Sequence, residues 1–248
     1  MRIVQINAVY GLASTGRIVK GIEEAARESG AECIAAYSQG SADDEEAFRF
    51  GSRWEQKIHG LLSRLTGLQG YFSYFGTRRL LKKLDELKPD VVHLHNLHSN
   101  CINLKMLLGY LAEKDIATVL TLHDCWFFTG KCCYFTMAGC ERWKTGCGHC
   151  PNLKLDNKSY FLDRSRKMLY DKKEWFGKLS QLVVVGVSNW VTNLARESLI
   201  LSHAAMHRTI HNGINLNVFY PRKTDLKRRL GLDGKFVALG LAMGMSRR

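Results

Sequence analysis

The fold is constrained most by short apolar runs that alternate with longer, helix-like stretches. The runs have the length and the continuous apolar character of strands buried inside a parallel sheet. They cover residues 1–9, 32–37, 91–94, 117–122, 182–187 and 208–210. Because a strand, a helix and another strand follow one another repeatedly, successive strands are predicted to be parallel and joined by helices that cross over the sheet.

The stretches between these runs carry apolar residues at helical spacing and end at residues that stop helices. Gly30 follows the first stretch, and Lys88-Pro89-Asp90 follows the long second one. We predict helices around Ile18 and Ile22, over residues 54–87, 104–114 and 165–178, and from Trp190 onwards. The elements together predict an α/β fold, a Rossmann-like parallel sheet with helices on both faces.

The chain changes character after Pro221. A short basic helix is predicted at 226–230, Gly234 interrupts it, and residues 236–241 have the pattern of a new apolar strand. We therefore predict that residues 1–220 form one domain, with a cysteine-rich insert at 125–151. Residues 221–248 are predicted to be a hinge and the start of a truncated second domain. The acidic stretch 43–46 is predicted to be a loop.

Net charge and hydropathy limit the classes of partner and the cell compartment that are expected for this chain. Lysine and arginine (36) exceed aspartate and glutamate (23), which gives a net charge of +13 and favours anionic partners such as nucleic acid, anionic lipid or phosphorylated substrates. The first residues turn polar too quickly for a signal peptide, and no apolar run reaches the roughly 18 residues of a membrane-spanning helix. We therefore expect a cytoplasmic protein, in which thiols stay reduced.

One segment suits contact with a membrane surface. Residues 71–75, Tyr-Phe-Ser-Tyr-Phe, precede a strongly basic helical stretch, and aromatic residues beside basic ones are typical of interfacial helices. Core packing beneath a solvated helix face is the alternative.

A cysteine cluster that ends in Cys147-Gly-His-Cys150-Pro is the most specific metal motif. A Cys-x-x-Cys pair plus two upstream thiols satisfies tetrahedral Zn²⁺ with every position closed, which is typical of a structural site. The upstream thiols are Cys132, Cys133 and Cys140. One thiol is therefore spare, and His149 is a weaker substitute. A redox pair is the alternative, but such pairs open a helix after a strand, whereas this pair lies in a long loop.

Polar residues collect in loops that follow predicted strands. The loops cover residues 11–17, 95–100, 123–125 and 188–189. Because parallel strands present ligands at the loops after their carboxyl ends, these loops are expected to line one site. The first loop has glycines and a helix start that suit phosphate or sugar hydroxyls, and a tight strand-to-helix turn is its alternative interpretation.

Histidines supply the candidate chemistry at this edge of the sheet. His123 ends one predicted strand and can donate to a hydroxyl or a developing charge, with Asp124 orienting it. His95 and Asn96, at the exit of another strand, are candidates for polar substrate contacts. The alternatives are a hydrogen-bonded structural histidine at 123 and a metal site formed by His93 with His95.

These residues resemble family-four glycosyltransferases of the GT-B fold, in particular members that build bacterial polysaccharides. The matching segments are Ser14-Thr-Gly-Arg-Ile18, residues 88–98, residues 121–130, and Ile210-His-Asn-Gly-Ile-Asn215 with Phe219. Residues 140–143 and 147–151 also look like the cysteine insert of this subgroup, in which Cys132 matches the upstream cysteine better than Cys133. The zinc ligands are then expected to be Cys132, Cys140, Cys147 and Cys150.

The resemblance implies a retaining, metal-independent glycosyltransferase of the hexosyltransferase type, which moves a sugar from a nucleotide-sugar donor to a hydroxyl. The loop of Ser14, Thr15, Gly16 and Arg17 is expected to approach the donor phosphates, and His123 the donor sugar near its reacting carbon. His95, Asn96 and Ser188 fall on cleft-lining positions, and Asn212-Gly213 leads into the interdomain hinge. The acceptor is expected to be a lipid-linked oligosaccharide, and the enzyme peripheral at the anionic inner membrane.

The family's donor domain, with its paired glutamates, is expected to be missing after Arg248. The chain is therefore expected to be the acceptor-side part and to turn over little by itself. The alternative function is a zinc-stabilised nucleic-acid- or anion-binding module without catalysis. Aromatic residues are not interleaved with the basic clusters, so we expect no nucleic acid partner. A non-catalytic, lectin-like remnant is a third interpretation.

Overall fold

The computed structural model describes residues 1–40 and 47–240, so the predicted acidic loop at 43–46 lies outside the described residues. The strands are β1 (Arg2–Val9), β2 (Glu32–Gln39), β3 (Phe48–Arg49), β4 (Val91–Leu94), β5 (Ala117–Leu122), β6 (Leu182–Gly186) and β7 (Met206–Thr209). The helices are α1 (Ala13–Glu28), α2 (Arg53–Thr66), α3 (Tyr74–Leu87), α4 (Leu104–Glu113), α5 (Ser165–Phe176), α6 (Asn189–Glu197) and α7 (Leu226–Arg229).

The strands form one seven-stranded sheet in the order β3-β2-β1-β4-β5-β6-β7, and every neighbouring pair is parallel. The chain winds outward from β1 to β3 and then from β4 to β7 in the opposite direction. The carboxyl ends of β1 and β4 therefore flank the topological switch point, where open α/β sheets bind their ligands. The predicted Rossmann-like α/β fold is confirmed, while its zinc-binding loop stays a prediction.

Two apolar clusters of unequal size pack against the sheet. The larger contains aliphatic residues of β1, β4 and β5 together with residues of α3, α4, α5 and α6. The smaller contains Tyr10, Val19, Ala35 and Tyr37, with Val19 contributed by α1. Because successive side chains of a strand point to opposite faces, the large cluster takes one face of the central strands and leaves the alternate residues for the other.

The long helix predicted over 54–87 is divided into α2 and α3. Gly67 ends α2 with a left-handed backbone (φ +74°), and a Cβ atom at this position would lie 2.2 Å from the carbonyl oxygen of Leu162. The close approach of the 159–162 segment therefore requires glycine and stops the helix. The other long helices end within two residues of their predicted limits.

The strand predicted at 236–241 is wrong for residues 236–240, which are not in a strand. Phe236 is 96% exposed. A strand is stable only when a neighbour accepts its hydrogen bonds and covers its apolar face, and the described residues provide neither for this segment. The two-residue strand β3 was not predicted because it is too short to show a period.

The chain divides into two compact units, Met1–Asn212 and Gly213 onwards. The first unit contains the whole sheet, and α7 is the helix of the second. The predicted domain boundary at 220 stays a prediction. In the part of the chain that the structure describes, none of the helices combines the length and apolar character needed to cross a bilayer.

Candidate active site and thiol cluster

The loop after β1 presents an uncapped helix start at the switch point. Leu12 is the N-cap of α1, no side chain caps the helix, and its first turn contains no acidic residue. A Cβ atom at Gly16 would lie 3.2 Å from backbone atoms of Tyr10 and Gly11, so the close approach of the two segments favours glycine. The amide groups and dipole of this 16-residue helix suit an anion or a sugar hydroxyl.

The other predicted residues of this loop surround the helix start. Ser14 and Arg17 are exposed, whereas Thr15 is half-buried and lies 3.4 Å from the Asn7 amide nitrogen. Asn7 also donates to the carbonyl of Val9 at 2.7 Å. Its Oδ1 atom is buried and has no hydrogen-bond partner among the described residues. The carboxyl end of β1 therefore keeps one unused acceptor beside the helix start.

A hydrogen-bonded network of Gln5, His95 and His123, here called the histidine network, crosses β1, β4 and the end of β5. The His95 ring contacts Gln5 Oε1 through Nε2 and His123 Nε2 through Nδ1, each at 3.1 Å. Beside it, His93 Nε2 lies 2.7 Å from the hydroxyl of Thr121. The ring of His95, a predicted substrate contact, is 0% exposed and bonds these two partners, and its contact with substrate stays a prediction.

The bonding pattern assigns one tautomer to each ring of the histidine network. Gln5 donates through Nε2 to the carbonyl of Val19 at 3.0 Å, so its Oε1 atom accepts from His95 Nε2–H. Burial holds the pKa of His95 well below its ordinary value, so the ring is neutral and its Nδ1 atom accepts from His123 Nε2–H. Burial also lowers the pKa of His123. A neutral His123 therefore keeps a lone pair on Nδ1.

Asp124 does not contact the ring that it was predicted to orient. Its Oδ2 atom lies 3.0 Å from His98 Nε2, and its Oδ1 atom accepts from the backbone amide of Trp126 at 2.9 Å. Asp124 affects His123 only at longer range, where its charge raises the pKa of the ring against the larger effect of burial. Asp124 thus fixes the turn after β5 and holds His98.

The remaining predicted contacts are spread over three places. Asn96 is half-buried, and its carbonyl accepts from the amide of Ala8 at 3.0 Å. Ser188 caps α6 by accepting from the amide of Val191 at 3.3 Å. Asn212 and Gly213 are exposed at the boundary of the two units. Of these residues, Asn96 and Ser188 follow strands β4 and β6 at the same edge as His123.

The predicted zinc ligands Cys132, Cys140, Cys147 and Cys150, here called the thiol cluster, line one cavity of about 20 Å³. All four are free thiols. Trp143 and Phe135 also line this cavity, whereas Cys133 and His149 do not.

Two buried lysines flank the thiol cluster. Lys172 is 1% exposed and donates to the carbonyls of Trp126 and Thr129, at 2.6 and 3.0 Å. Lys131 is 2% exposed and donates to the carbonyl of Leu153 at 2.9 Å. In the described ranges, 1–40 and 47–240, neither ammonium group has a carboxylate oxygen within 4.0 Å. Burial lowers the pKa of Lys172 to about 7.

His98, Asp124 and Cys133 form a second group of potential metal ligands, whose ligand atoms all lie within 4.8 Å of one another. The polar atoms of these three residues already have hydrogen-bond partners. His98 pairs with Asp124, and the Cys133 thiol lies 3.3 Å from the Asn157 amide nitrogen. This group therefore has satisfied hydrogen bonds without an ion.

Four residues at these sites are not predicted as site residues from the sequence: Gln5, His98, Lys131 and Lys172. Gln5 offered a weak signal, since it lies between the apolar residues Val4 and Ile6 in a buried strand of a parallel sheet. His98 belongs to the 88–98 segment that carries the family resemblance, but no role is predicted for it from the sequence. The two lysines had no signal, because lysine in a loop or on a helix is ordinarily solvated.

Comparison with known proteins gives two matches. The family "Glycosyltransferase Family 4" matches residues 16–218. A "Putative colanic acid biosynthesis glycosyl transferase WcaC" from Escherichia coli (strain K12) is 36% identical over 99 residues, which cover 38% of this chain and 24% of that protein. The chain thus spans about a quarter of the length of this curated relative.

Proposed function

Because the chain belongs to glycosyltransferase family 4, we propose that it contributes the acceptor-side domain of an enzyme that transfers a sugar from a nucleotide-sugar donor to a saccharide acceptor in bacterial polysaccharide biosynthesis. The name of the similar Escherichia coli protein supports the polysaccharide context. The observation that carries the proposal is the histidine network beside the uncapped start of α1, at the switch point of the sheet.

His123 is the residue that we place against the reacting sugar. Its ring is half-buried, and its Nε2–H group is engaged by His95, so its Nδ1 lone pair is the atom left for substrate. A neutral imidazole with a free Nδ1 accepts a hydrogen bond from a sugar hydroxyl and fixes the orientation of that sugar. Gln5 and His95 do not reach substrate in this proposal, and they position the ring of His123.

The start of α1 receives the negative charge of the donor. Its free amide groups, Ser14 and Arg17 supply donors to the pyrophosphate, which gains charge as it leaves the sugar. We place the enzyme among retaining hexosyltransferases on the resemblance of its 14–18, 88–98 and 121–130 segments. The same resemblance assigns no metal to the reaction, implies that Asn96 and Ser188 line the substrate cleft, and implies that Asn212-Gly213 leads into the interdomain hinge.

We also propose that the acceptor is linked to a lipid and that the enzyme lies at an anionic membrane surface. Helix α2 carries the support, because its amphipathic pattern is inverted. The apolar residues Trp54, Ile58, Leu61 and Leu65, here called the outward stripe, are exposed at helical spacing, and Trp54 is 75% exposed. The polar residues His59 and Ser63 of the same helix are buried.

Basic residues border the outward stripe. Arg53, Lys57 and Arg64 are exposed on α2, and Phe75, at the start of α3, donates through its amide to Glu55 Oε1 of α2 at 2.7 Å. An apolar stripe beside lysine and arginine is typical of helices that lie in the surface of an anionic bilayer. Of the segment predicted to touch membrane, Phe75 is exposed, whereas Tyr71 is half-buried and bonds Asp171 at 2.5 Å.

Transfer by the native protein that carries this chain tests the function. Incubation with UDP- and GDP-linked hexoses and lipid-linked saccharides should release nucleoside diphosphate. His123→Ala should lower kcat/KM by about 10²-fold through lost orientation of the sugar, while the exposed His203→Ala control should not. Failure of every donor to react, or full activity of His123→Ala, would contradict the proposal. Residues 1–248 alone should turn over little donor, since the described residues after 212 contain no sheet.

Vesicle sedimentation tests the membrane surface separately. The protein should bind vesicles that contain phosphatidylglycerol, bind less as salt increases, and leave neutral phosphatidylcholine vesicles unbound. Replacing Ile58 and Leu61 by serine should lower the bound fraction several-fold, whereas serine at the exposed Leu155 should not change it. Equal binding to both vesicle types, or no effect of the serine pair, would refute the assignment.

A further inference from the structure

The thiol cluster joins residues that are distant in sequence around one small, mainly apolar cavity. Cys132 follows the turn after β5, Cys140 lies after a short helical turn, and Cys147 and Cys150 belong to the Cys-x-x-Cys pair. Arg142 organises this pair by donating to the carbonyls of Gly148 and His149, each at 2.7 Å. A cavity of about 20 Å³ has room for a single ion or water molecule.

The two buried lysines indicate that negative charge belongs in this region. An ammonium group taken out of water is costly unless an anion compensates it. Lys131 and Lys172 donate hydrogen bonds only to backbone carbonyls, and the Lys172 ammonium also lies 3.9 Å from the centroid of the Trp126 ring. The nearest carboxylates are engaged elsewhere. Asp124 holds His98, Asp156 accepts from the amides of Cys133 and Tyr134, and Asp163 accepts from the amides of Cys150 and Ser165. The thiols of the thiol cluster are the remaining groups near the two lysines that can become anions.

A buried hydrogen-bond donor also indicates that an anion belongs in this region. The indole N–H group of Trp143, a residue that lines the cavity, is buried without a hydrogen-bond partner among the described residues. Buried indole N–H groups are ordinarily bonded, so an acceptor is expected here. A thiolate sulfur is a far better acceptor than a thiol, because it carries a full negative charge.

We propose that Cys132, Cys140, Cys147 and Cys150 bind one Zn²⁺ ion as thiolates, and that Lys131 and Lys172 balance the charge of the complex. Zinc binding releases four thiol protons and leaves a tetrathiolate complex with a charge of −2, which the two ammonium groups offset. The complex closes all four zinc positions, so its role is to fix the 125–151 loop beside His123.

Binding must draw the four sulfur atoms inward. Among the described residues, no three of these cysteines have all their sulfur atoms within 4.8 Å of one another, whereas zinc–sulfur bonds of about 2.3 Å bring them closer together. The group of His98, Asp124 and Cys133 is more compact, but it offers only one thiol. A Zn²⁺ ion bound there would add positive charge beside Lys172, and the single thiolate of this group would not offset that charge.

Metal content tests the proposal directly. Protein purified under reducing conditions should contain about one zinc ion per chain. Cys140→Ser and Cys150→Ser should lose it, whereas Cys101→Ser, at a buried thiol elsewhere, and Cys133→Ser should keep it. Loss of zinc in Cys133→Ser with retention in Cys150→Ser would assign the ion to the second group and overturn the proposal.

Cobalt substitution keeps the test valid if a serine variant fails to fold. Wild-type protein stripped of metal and titrated with Co²⁺ should show the intense visible bands of a tetrahedral site and strong sulfur-to-cobalt charge transfer. Weak octahedral bands without charge transfer would overturn the assignment of thiolate ligands, as would less than half an equivalent of zinc in the purified protein.

Zinc affinity tests the proposed role of the two buried lysines. Lys172→Met keeps all four thiols but removes one compensating charge, so zinc should be lost to a competing chelator at an at least tenfold lower chelator concentration. Lys131→Met should act in the same direction, and the exposed Lys178→Met should not. Unchanged zinc affinity in both buried variants would overturn the charge balance and leave only the ligand assignment.

Discussion

The two faces of the central strands differ more than the faces of a parallel sheet usually do. On one face lie aliphatic side chains: Val4 and Ile6 of β1, Val92 and Leu94 of β4, and Leu120 and Leu122 of β5. The alternate positions carry Gln5, Asn7, His93, His95, Thr121 and, just after β5, His123. Parallel strands are ordinarily apolar on both sides because helices cover both. A polar second face therefore indicates that the sheet does more than form a core.

The polar face is stable because its side chains bond one another across strands. His93 bonds Thr121, and His95 bonds both Gln5 and His123. These five side chains each have a hydrogen-bond partner one strand away, so the face avoids most of the cost of burying polar groups, whereas Asn7 Oδ1 has no partner among the described residues. One face therefore contributes packing energy, while the other holds a fixed arrangement of imidazole rings at the switch point.

The largest expected effect lies on the aliphatic face. Leu94→Ala removes a fully buried side chain from the large cluster, and it should lower the free energy of unfolding by about 2–5 kcal/mol. Denaturant unfolding would measure this, with Val91→Ala, at a half-buried position of the same strand, as the milder control. Equal losses for the two variants would show that the faces do not differ in packing.

Acid should weaken the polar face selectively. Burial lowers the pKa of His93 to about 4, while the unfolded chain keeps the ordinary value of 6.5. Between these values the unfolded state binds more protons, so stability is greatest above pH 6.5 and falls as the pH approaches 4, by up to about 3 kcal/mol.

A variant isolates the contribution of His93. His93→Gln should show a shallower fall in unfolding free energy between pH 6.5 and 4 than wild type. His59, whose pKa burial also lowers to about 4, contributes equally to both proteins and cancels from the difference. Parallel curves for the two proteins would contradict the prediction.

The smallest expected effect concerns the coupling inside the histidine network. Gln5→Leu and His95→Leu should each lower the unfolding free energy by about 1–3 kcal/mol, because each leaves the other partner buried and unbonded. The double variant should lose less than the sum of the single losses by about 1 kcal/mol, since its two leucines face each other. Strict additivity would show that Gln5 and His95 do not depend on each other.

The aliphatic face could be predicted from sequence, and the polar face only in part. Short apolar runs locate most strands, because a buried strand has a local signature. His93 and His95 share a face by simple alternation. Their partners do not follow from the sequence, because Gln5 lies 90 positions from His95 and only the strand order brings them together. Only the structure shows that the His95 ring is fully buried and bonded to His123.

Local sequence patterns also gave wrong predictions where burial or strand pairing depends on the surrounding segments. The spacing of Trp54, Ile58 and Leu61 is typical of a helix face that packs in a core, yet in α2 that face is exposed. Lys172 belongs to a charged helix that is predicted from sequence to be exposed to solvent. In the structure its ammonium group is buried against the ring and the carbonyl oxygen of Trp126. The 236–241 segment has the composition of a strand but, over 236–240, none of the pairing.

The position of β1 between β2 and β4 has a consequence for how the chain is made. One edge of β1 is filled by β2 soon after synthesis, but the other waits for β4, and the amide of Arg2 meets the carboxylate of Asp90 across 88 positions of sequence. At ribosomal speed the backbone N–H and C=O groups along this edge of β1 stay unpaired for on the order of ten seconds. Closing so long a loop is slow, so the nascent chain passes through a stage in which strand association with other chains competes with folding.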